Sequence, residues 1–313
     1  MLASLRITTP VEACLDWDAG EGRPDVTALY ERSKLLQWNA STLDWSTEVP
    51  FGTPLPPDSA FGKALLEGSP LARFGRPAWD RFRWELHSWL ASQFAHGEQG
   101  AVVASARLAE VLPTTAAKCF AASQVADEAR HVEAFSRYVR VKMPAPYPVA
   151  GPLAAMLGDL FSDARWDMTA LGLQIILEGL ALAALRMAGS TLHDELIREI
   201  ARLAARDEAR HIAFGILSLR EVCPQLSAAE RSEREEVVLQ AASLIRDWFL
   251  LADVWERIGV RREEGIAFAR SSPLMVAYRR TVFTRAAASI AKIGLMSPRL
   301  RAGLASLDLL GTP

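Results

Sequence analysis

The stretch Met168–Gly189, MTALGLQIILEGLALAALRMAG, admits few folds. It is almost wholly apolar, yet it carries Glu178 near its middle and Arg186 near its end. A helix that is hydrophobic all round is buried. A buried, unpaired carboxylate costs several kcal/mol, so Glu178 has to meet a cation or hold a proton. The segment is long enough to cross a bilayer, but a carboxylate at its centre makes that expensive, and no membrane insertion is expected.

The chain uses this plan twice. Thirty residues after Glu178 comes DEARH, with Glu208 and His211. Earlier, Glu98 lies in QFAHGEQGAVVASARL, and thirty residues after it DEARH recurs, with Glu128 and His131. Pro113 stands fifteen residues from both Glu98 and Glu128. In an antiparallel hairpin that equality puts both carboxylates at one height, roughly 22 Å from the turn at 1.5 Å per residue. The midpoint between Glu178 and Glu208 falls just past Gly189. Within each DEARH the Glu and His are three apart and share a helix face.

One Glu-x-x-His alone reads as a surface pair. The doubling, the equal spacing and the two Glu residues in apolar helices point instead to a dimetal site in a four-helix bundle. Its ligands would be Glu98, Glu128, His131, Glu178, Glu208 and His211. Four carboxylates and two imidazoles favour iron or manganese over copper or structural zinc. Carboxylates that switch between terminal and bridging modes suit O2 reduction. Asp127 and Asp207 are expected to accept hydrogen bonds from the ligand imidazoles. Arg130 and Arg210 either neutralise those two acids or face solvent. Ala101, Phe135, Ile175 and Leu182 lie one turn from a ligand and either line a substrate cavity or belong to the core.

A chain of 313 residues, half of them hydrophobic, can bury a sizeable core. Its net charge of −2 gives no reason to expect nucleic acid or an anionic membrane as partner. Cys14, Cys119 and Cys223, with no Cys-x-x-Cys, argue against a disulfide framework and for a reducing, cytoplasmic setting. Cys119 reads as a small apolar packing group. The first residues lack a continuous apolar run, so no signal peptide is expected.

Neither strand-like alternation nor a glycine-rich phosphate loop occurs, and one all-α domain is expected. Residues 1–76 form an arm and short helices, including one at Asp25–Trp38, with Trp17, Trp38 and Trp45 pinning the arm by packing. The four bundle helices fill 77–222: Pro77–Leu112, Thr114–Lys142, Ala164–Ala188 stopped by Gly189, and Thr191–Val222. On the first, Trp79, Phe82, Leu86, Leu90 and Phe94 form a buried stripe that leads to Glu98. The proline-rich segment 143–152 links the hairpins, and Leu153–Phe161 forms a short helix. Residues 223–313 add C-terminal helices to the same domain. The capping box Ser227–Glu230 opens one that runs to Ile258, and Pro273 begins another that ends near Leu295.

Over residues 85–220 the chain resembles the ferritin-like diiron oxygenase superfamily. HGEQGA around Glu98 resembles the monooxygenase hydroxylases. LEGLAL around Glu178 and DEARHIAFG around Glu208 are more similar to ribonucleotide reductase small subunits. The departures are informative. Phe135 stands where a small subunit has its radical tyrosine. Leu182 replaces the hydroxylases' threonine, and Leu173 the crosslinking tyrosine of the ligand-binding oxidases. Ala204 stands where the para-aminobenzoate N-oxygenases have a third histidine.

The resemblance implies a ferritin-like four-helix bundle with added N- and C-terminal helices, holding two iron ions (Fe/Fe, or Mn/Fe) with O2 as co-substrate. It implies an oxygenase or oxidase of monooxygenase type. Such an enzyme would hydroxylate, N-oxygenate or desaturate a small, largely apolar organic molecule, with electrons from a separate ferredoxin or reductase. A homodimer is expected. The alternatives are a radical-generating subunit, which Phe135 disfavours, and a ferritin-like iron-handling protein, which the length and missing Cys-x-x-Cys disfavour.

Overall fold

The structure, a computed structural model, describes residues 23–49 and 60–311. Among them all regular elements are helical. Helices α1 (Pro24–Leu35) and α2 (Ala60–Gly68) precede the first long hairpin, whose arms are α3 (Gly75–Val111) and α4 (Thr115–Lys142). The turn lies at Pro113, as the spacing requires. Pro113 has no N–H to extend α3. Thr114 then caps α4 by accepting from the Ala117 N–H at 3.3 Å.

The proline-rich linker is tied to α3. The N–H of Tyr147 donates to Ser92 Oγ at 3.0 Å, and Gln93 spans the Ala150 N–H and the Pro148 carbonyl, both at 2.9 Å. Helix α5 (Gly151–Ser162) follows. The apolar helix comes next, in three parts: α6 (Trp166–Ala170), a π-helical stretch Leu171–Leu177, and α7 (Glu178–Thr191). The Glu178 N–H reaches the Leu173 carbonyl, five residues back. A π-helical turn next to a functional side chain is a recurrent device. Gly189 does not stop this helix, contrary to the sequence expectation. The helix runs on to Thr191, Leu192 turns extended, and Asp194 caps α8 (Glu195–Val222) through the Leu196 N–H at 2.9 Å.

The Ser227–Glu230 capping box opens α9 (Ala228–Trp248). The helix expected to reach Ile258 breaks earlier. Leu251 adopts a left-handed φ of 56°, and α10 (Ala252–Arg257) starts in a new direction. That conformation costs a non-glycine residue about 1–2 kcal/mol. Burial of Leu251 and a 3.0 Å bond from Trp255 Nε1 to the Leu250 carbonyl hold it. Helices α11 (Arg262–Ser271), α12 (Pro273–Lys292) and α13 (Pro298–Ser306) complete the fold.

The α3–α4 and α7–α8 hairpins pack together, α1 lies on α4, and α12 lies on α7. Gly179 permits the last contact, because a Cβ there would stand 3.0 Å from the Ala286 Cα. The segment Trp166–Thr191 is long and apolar enough to cross a membrane, but 72% of its apolar window is buried inside the protein, as in a core helix. Cys223 is buried and Cys119 half-buried. Trp45 donates to the Ala40 carbonyl at 2.8 Å and lies under Arg137, in keeping with a packing role. Trp17 and Cys14 lie outside the described residues.

Candidate metal centre

All six expected residues meet at one level of the bundle. Glu98 comes from α3, Glu128 and His131 from α4, Glu178 from the start of α7, and Glu208 and His211 from α8. Each is at most 5% exposed. They form two overlapping groups, Glu98–Glu128–His131–Glu208 and Glu128–Glu178–Glu208–His211. In each group one donor atom per residue lies within 4.8 Å of every other. Glu128 and Glu208 belong to both groups, so they stand where bridging carboxylates would.

The polar atoms at the centre fit cations. Oε2 of Glu128, Glu178 and Glu208, and Nδ1 of His131 and His211, are buried without a hydrogen-bond partner among the described residues. His131 Nδ1 lies 3.2 Å from Glu128 and 3.4 Å from Glu98 and Glu208. His211 Nδ1 lies 3.2 Å from Glu128 and 3.5 Å from Glu208. Burial pushes the Glu98 carboxyl up to about 8, against the pull of His131, and pushes Glu178 well above the usual range, helped by Glu208. Burial also acts on Glu128, but the two imidazoles outweigh it and hold that carboxyl low. Two divalent ions would balance the four carboxylate charges.

The outer face of each imidazole is held by the opposite hairpin. His131 Nε2 bonds to Asp207 at 3.3 Å, and His211 Nε2 bonds to Asp127 at 3.1 Å. An ionised carboxylate only accepts, so each Nε2 carries a hydrogen and each Nδ1 points inward at the glutamates. Burial lowers both imidazoles, but the surrounding carboxylates outweigh it and raise them well above their usual range, so each Nδ1 holds a proton that a bound cation would replace. Both arginines take the neutralising role rather than facing solvent. Arg210 bonds to Asp127 at 3.0 Å and Asp207 at 2.8 Å, and Arg130 pairs with Asp127. Burial raises both acids, but the imidazoles and Arg210 outweigh it and hold the two carboxyls low.

Three further groups join the site that the sequence reading did not assign to it. Trp38 donates to Asp207 at 2.7 Å and stacks near His131. Gln124 donates to Glu178 at 2.6 Å and Glu128 at 3.1 Å, and Gln174 in turn donates to Gln124 at 2.9 Å. The two glutamines had a signal, since each stands four residues before a ligand Glu, on the same helix face.

A chamber of about 80 Å³ opens on the Glu98, Glu178 and Glu208 side, with Ala101, Leu173, Leu177 and Ala181 in its wall. It shares Trp89, Leu90, Phe94, Ala184, Phe249 and Tyr278 with a second cavity of about 430 Å³, which Phe135 borders. Of the four expected pocket residues, Ala101 and Phe135 therefore border open volume. Ile175 and Leu182 do not line either cavity and pack in the core. The cavity face of this helix passes through Leu173, Leu177, Ala181 and Ala184, flanking the line through Glu178. Leu86, Leu90 and Phe94 of the α3 stripe are half-buried and border the larger cavity, whereas Trp79 and Phe82 are fully buried.

In structural comparison the chain resembles an R2-like ligand-binding oxidase with an anaerobically reconstituted Mn/Fe cofactor (TM-score 0.52, 16% identity, covering 90% of this chain and 96% of that one). It also resembles a Synechococcus protein with aldehyde deformylating oxidase activity (TM-score 0.51, 19% identity, covering 72% and 97%). At such identities these likenesses establish the fold, a ferritin-like bundle. No curated protein matches the chain in sequence. The model of the p-aminobenzoate N-oxygenase AurF family matches residues 104–294. The match holds although buried Ala204 stands where the third histidine was sought. Since that match spans more than half of the chain, the protein belongs to the p-aminobenzoate N-oxygenase AurF family and is a dimetal, O2-activating oxidoreductase with a small-molecule substrate.

Proposed function

We propose that Glu98 and His131 would hold one iron and Glu178 and His211 the other, with Glu128 and Glu208 available to both. The enzyme then oxidises a largely apolar organic molecule lying against the Glu98–Glu178–Glu208 side. The observation that carries this reading is the chamber itself, whose largely apolar wall is interrupted by three of the four carboxylates and by Gln93. Bound iron supplies O2 reduction. The residues around it orient the ligands and keep bulk water out. The Asp–His pairs keep each Nδ1 aimed inward, and the Gln174–Gln124 relay fixes the carboxylates of Glu128 and Glu178.

Hydroxylation, N-oxygenation and desaturation all suit such a chamber. At the position of a small subunit's radical tyrosine, Phe135 stacks on Phe94 with ring centroids 5.1 Å apart and offers no oxidisable phenol. This favours direct substrate oxidation over radical supply to a partner. No flavin or iron–sulfur motif appears in the sequence, so electrons come from a separate ferredoxin or reductase. The protein works in the cytoplasm as a homodimer. The arm (1–76), the bundle (77–222) and the C-terminal helices (223–313) act as one domain.

The test is metal analysis, followed by absorption spectroscopy after anaerobic Fe(II) loading and exposure to O2. Two metals per chain and a transient band on oxygen addition are expected. Glu178→Ala should lose one metal or both. A variant that kept both metals and full activity would refute the assignment.

A further inference from the structure

The larger cavity carries a polarity of its own. Among the described residues that line it there is no lysine, arginine or carboxylate. Thr191 spends its hydroxyl hydrogen on the Met187 carbonyl at 2.7 Å. Burial holds the Tyr278 phenol up to about 12, so it stays neutral. A substrate carboxylate or ammonium lying here would be desolvated without an opposite charge to pair with.

His87 is different. It borders the same cavity, is 1% exposed, and its Nδ1 has no hydrogen-bond partner among the described residues. Its tautomer follows from two neighbours. Asp194 uses Oδ1 to cap α8, and its Oδ2 accepts from the Tyr138 hydroxyl. The phenol has spent its hydrogen, so it accepts from His87 Nε2 at 2.7 Å. Burial lowers the imidazole to about 4, which leaves it neutral near pH 7. Nδ1 is therefore a bare lone pair, and such an atom is costly to leave unpaired.

His87 also has a defined place relative to the metal centre. It precedes Glu98 by eleven residues of α3, close to three full turns, so both lie on one helix face about 16 Å apart. Leu90 and Phe94 stand between them on that face and border both cavities.

We infer that His87 is a specificity-determining residue: it accepts a hydrogen bond from a hydroxyl or N–H at the far end of an elongated, uncharged, largely apolar substrate whose other end lies at the carboxylates. The inference rests on the two adjoining cavities, which share six lining residues, together being the substrate site. Trp89, whose indole N–H is also buried and has no partner among the described residues, offers a donor along the way.

The test is calorimetric titration of the anaerobic, iron-loaded protein with decan-1-ol and with methyl nonyl ether, which has the same heavy-atom count and keeps an acceptor oxygen but has no donor. The alcohol should bind about tenfold more tightly than the ether. His87→Leu should erase the alcohol's advantage and leave ether binding within about twofold. His87→Asn, whose amide oxygen can take the place of Nδ1, should restore part of it. Equal binding of alcohol and ether by the wild-type protein would overturn the role of His87 while leaving the apolar site intact. Binding of neither would overturn both this inference and the substrate site on which it rests. If His87→Leu does not fold, the wild-type comparison and His87→Asn still decide.

Discussion

Asp207 accepts a hydrogen bond from His131 at 3.3 Å although the two residues belong to different hairpins, and Asp127 does the same for His211 at 3.1 Å. Each DEARH segment thus supplies a candidate ligand pair and also the acid that orients the histidine of the other segment. Neither hairpin completes its own imidazole. Asp207→Asn should lower metal affinity about 10- to 100-fold, as loss of such an orienting acid does elsewhere. Competition with a chromophoric chelator measures this. An unchanged affinity would mean that the acid has no part in holding His131.

The glutamine relay makes a separate prediction. Gln124→Leu removes the amide donor to Glu128 and Glu178 in a buried site. The metal-free protein should lose about 1–3 kcal/mol of stability. Iron loading should narrow the gap, because the cations then satisfy the same oxygens. Chemical denaturation with and without metal reads both quantities.

Gly179 tests the packing behind the site. Gly179→Ala places a methyl 3.0 Å from the Ala286 Cα, and backbone yields less readily than a side chain. A loss of about 1–3 kcal/mol is expected, with α12 pushed away from α7. Denaturant midpoints measure the first, and hydrogen exchange on α12 the second.

His87 gives stability an acid dependence of known sign. Burial lowers its folded-state value to about 4, below the ordinary 6.5. As pH falls below 6.5, the unfolded chain takes up a proton that the folded protein refuses until near pH 4. The stability that neutral His87 contributes is therefore present above pH 6.5 and lost between there and 4. Between pH 7 and 4.5, metal-free wild-type protein should lose about 2–3 kcal/mol more than His87→Leu does. Urea denaturation of both proteins at the two pH values checks this. Parallel losses would show that His87 does not titrate in this way.

Much of the centre was legible because helices turn spacing into position. Glu98 and Glu128 are equidistant from Pro113, a residue that cannot continue a helix, so their common height follows from arithmetic. The i, i+3 spacing of Glu128 and His131, and of Glu208 and His211, put each pair on one face. Local chemistry was legible too, as at the Ser227–Glu230 capping box, which depends only on residues three apart. Gly189 misled because a glycine ends a helix only where the chain turns left-handed, and nothing in its neighbours requires that turn. Ile175 and Leu182 stayed open between cavity and core because the sequence could place them only relative to Glu178, by regular helix geometry. The cavity face lies to one side of that line, and the preceding turns are π-helical.

The sequence by itself determined that two helical hairpins must bury four carboxylates and two imidazoles at one level, because apolar helices cannot hold such groups apart from a cation. The tertiary structure alone decided what surrounds them. The crossed Asp–His pairs, the place of Trp38 against Asp207, the left-handed turn at Leu251 and the cavity between His87 and Glu98 all arise from segments far apart in the chain. Their relative placement depends on how whole helices pack, and helix periodicity carries no information about which face of one hairpin meets which face of the other.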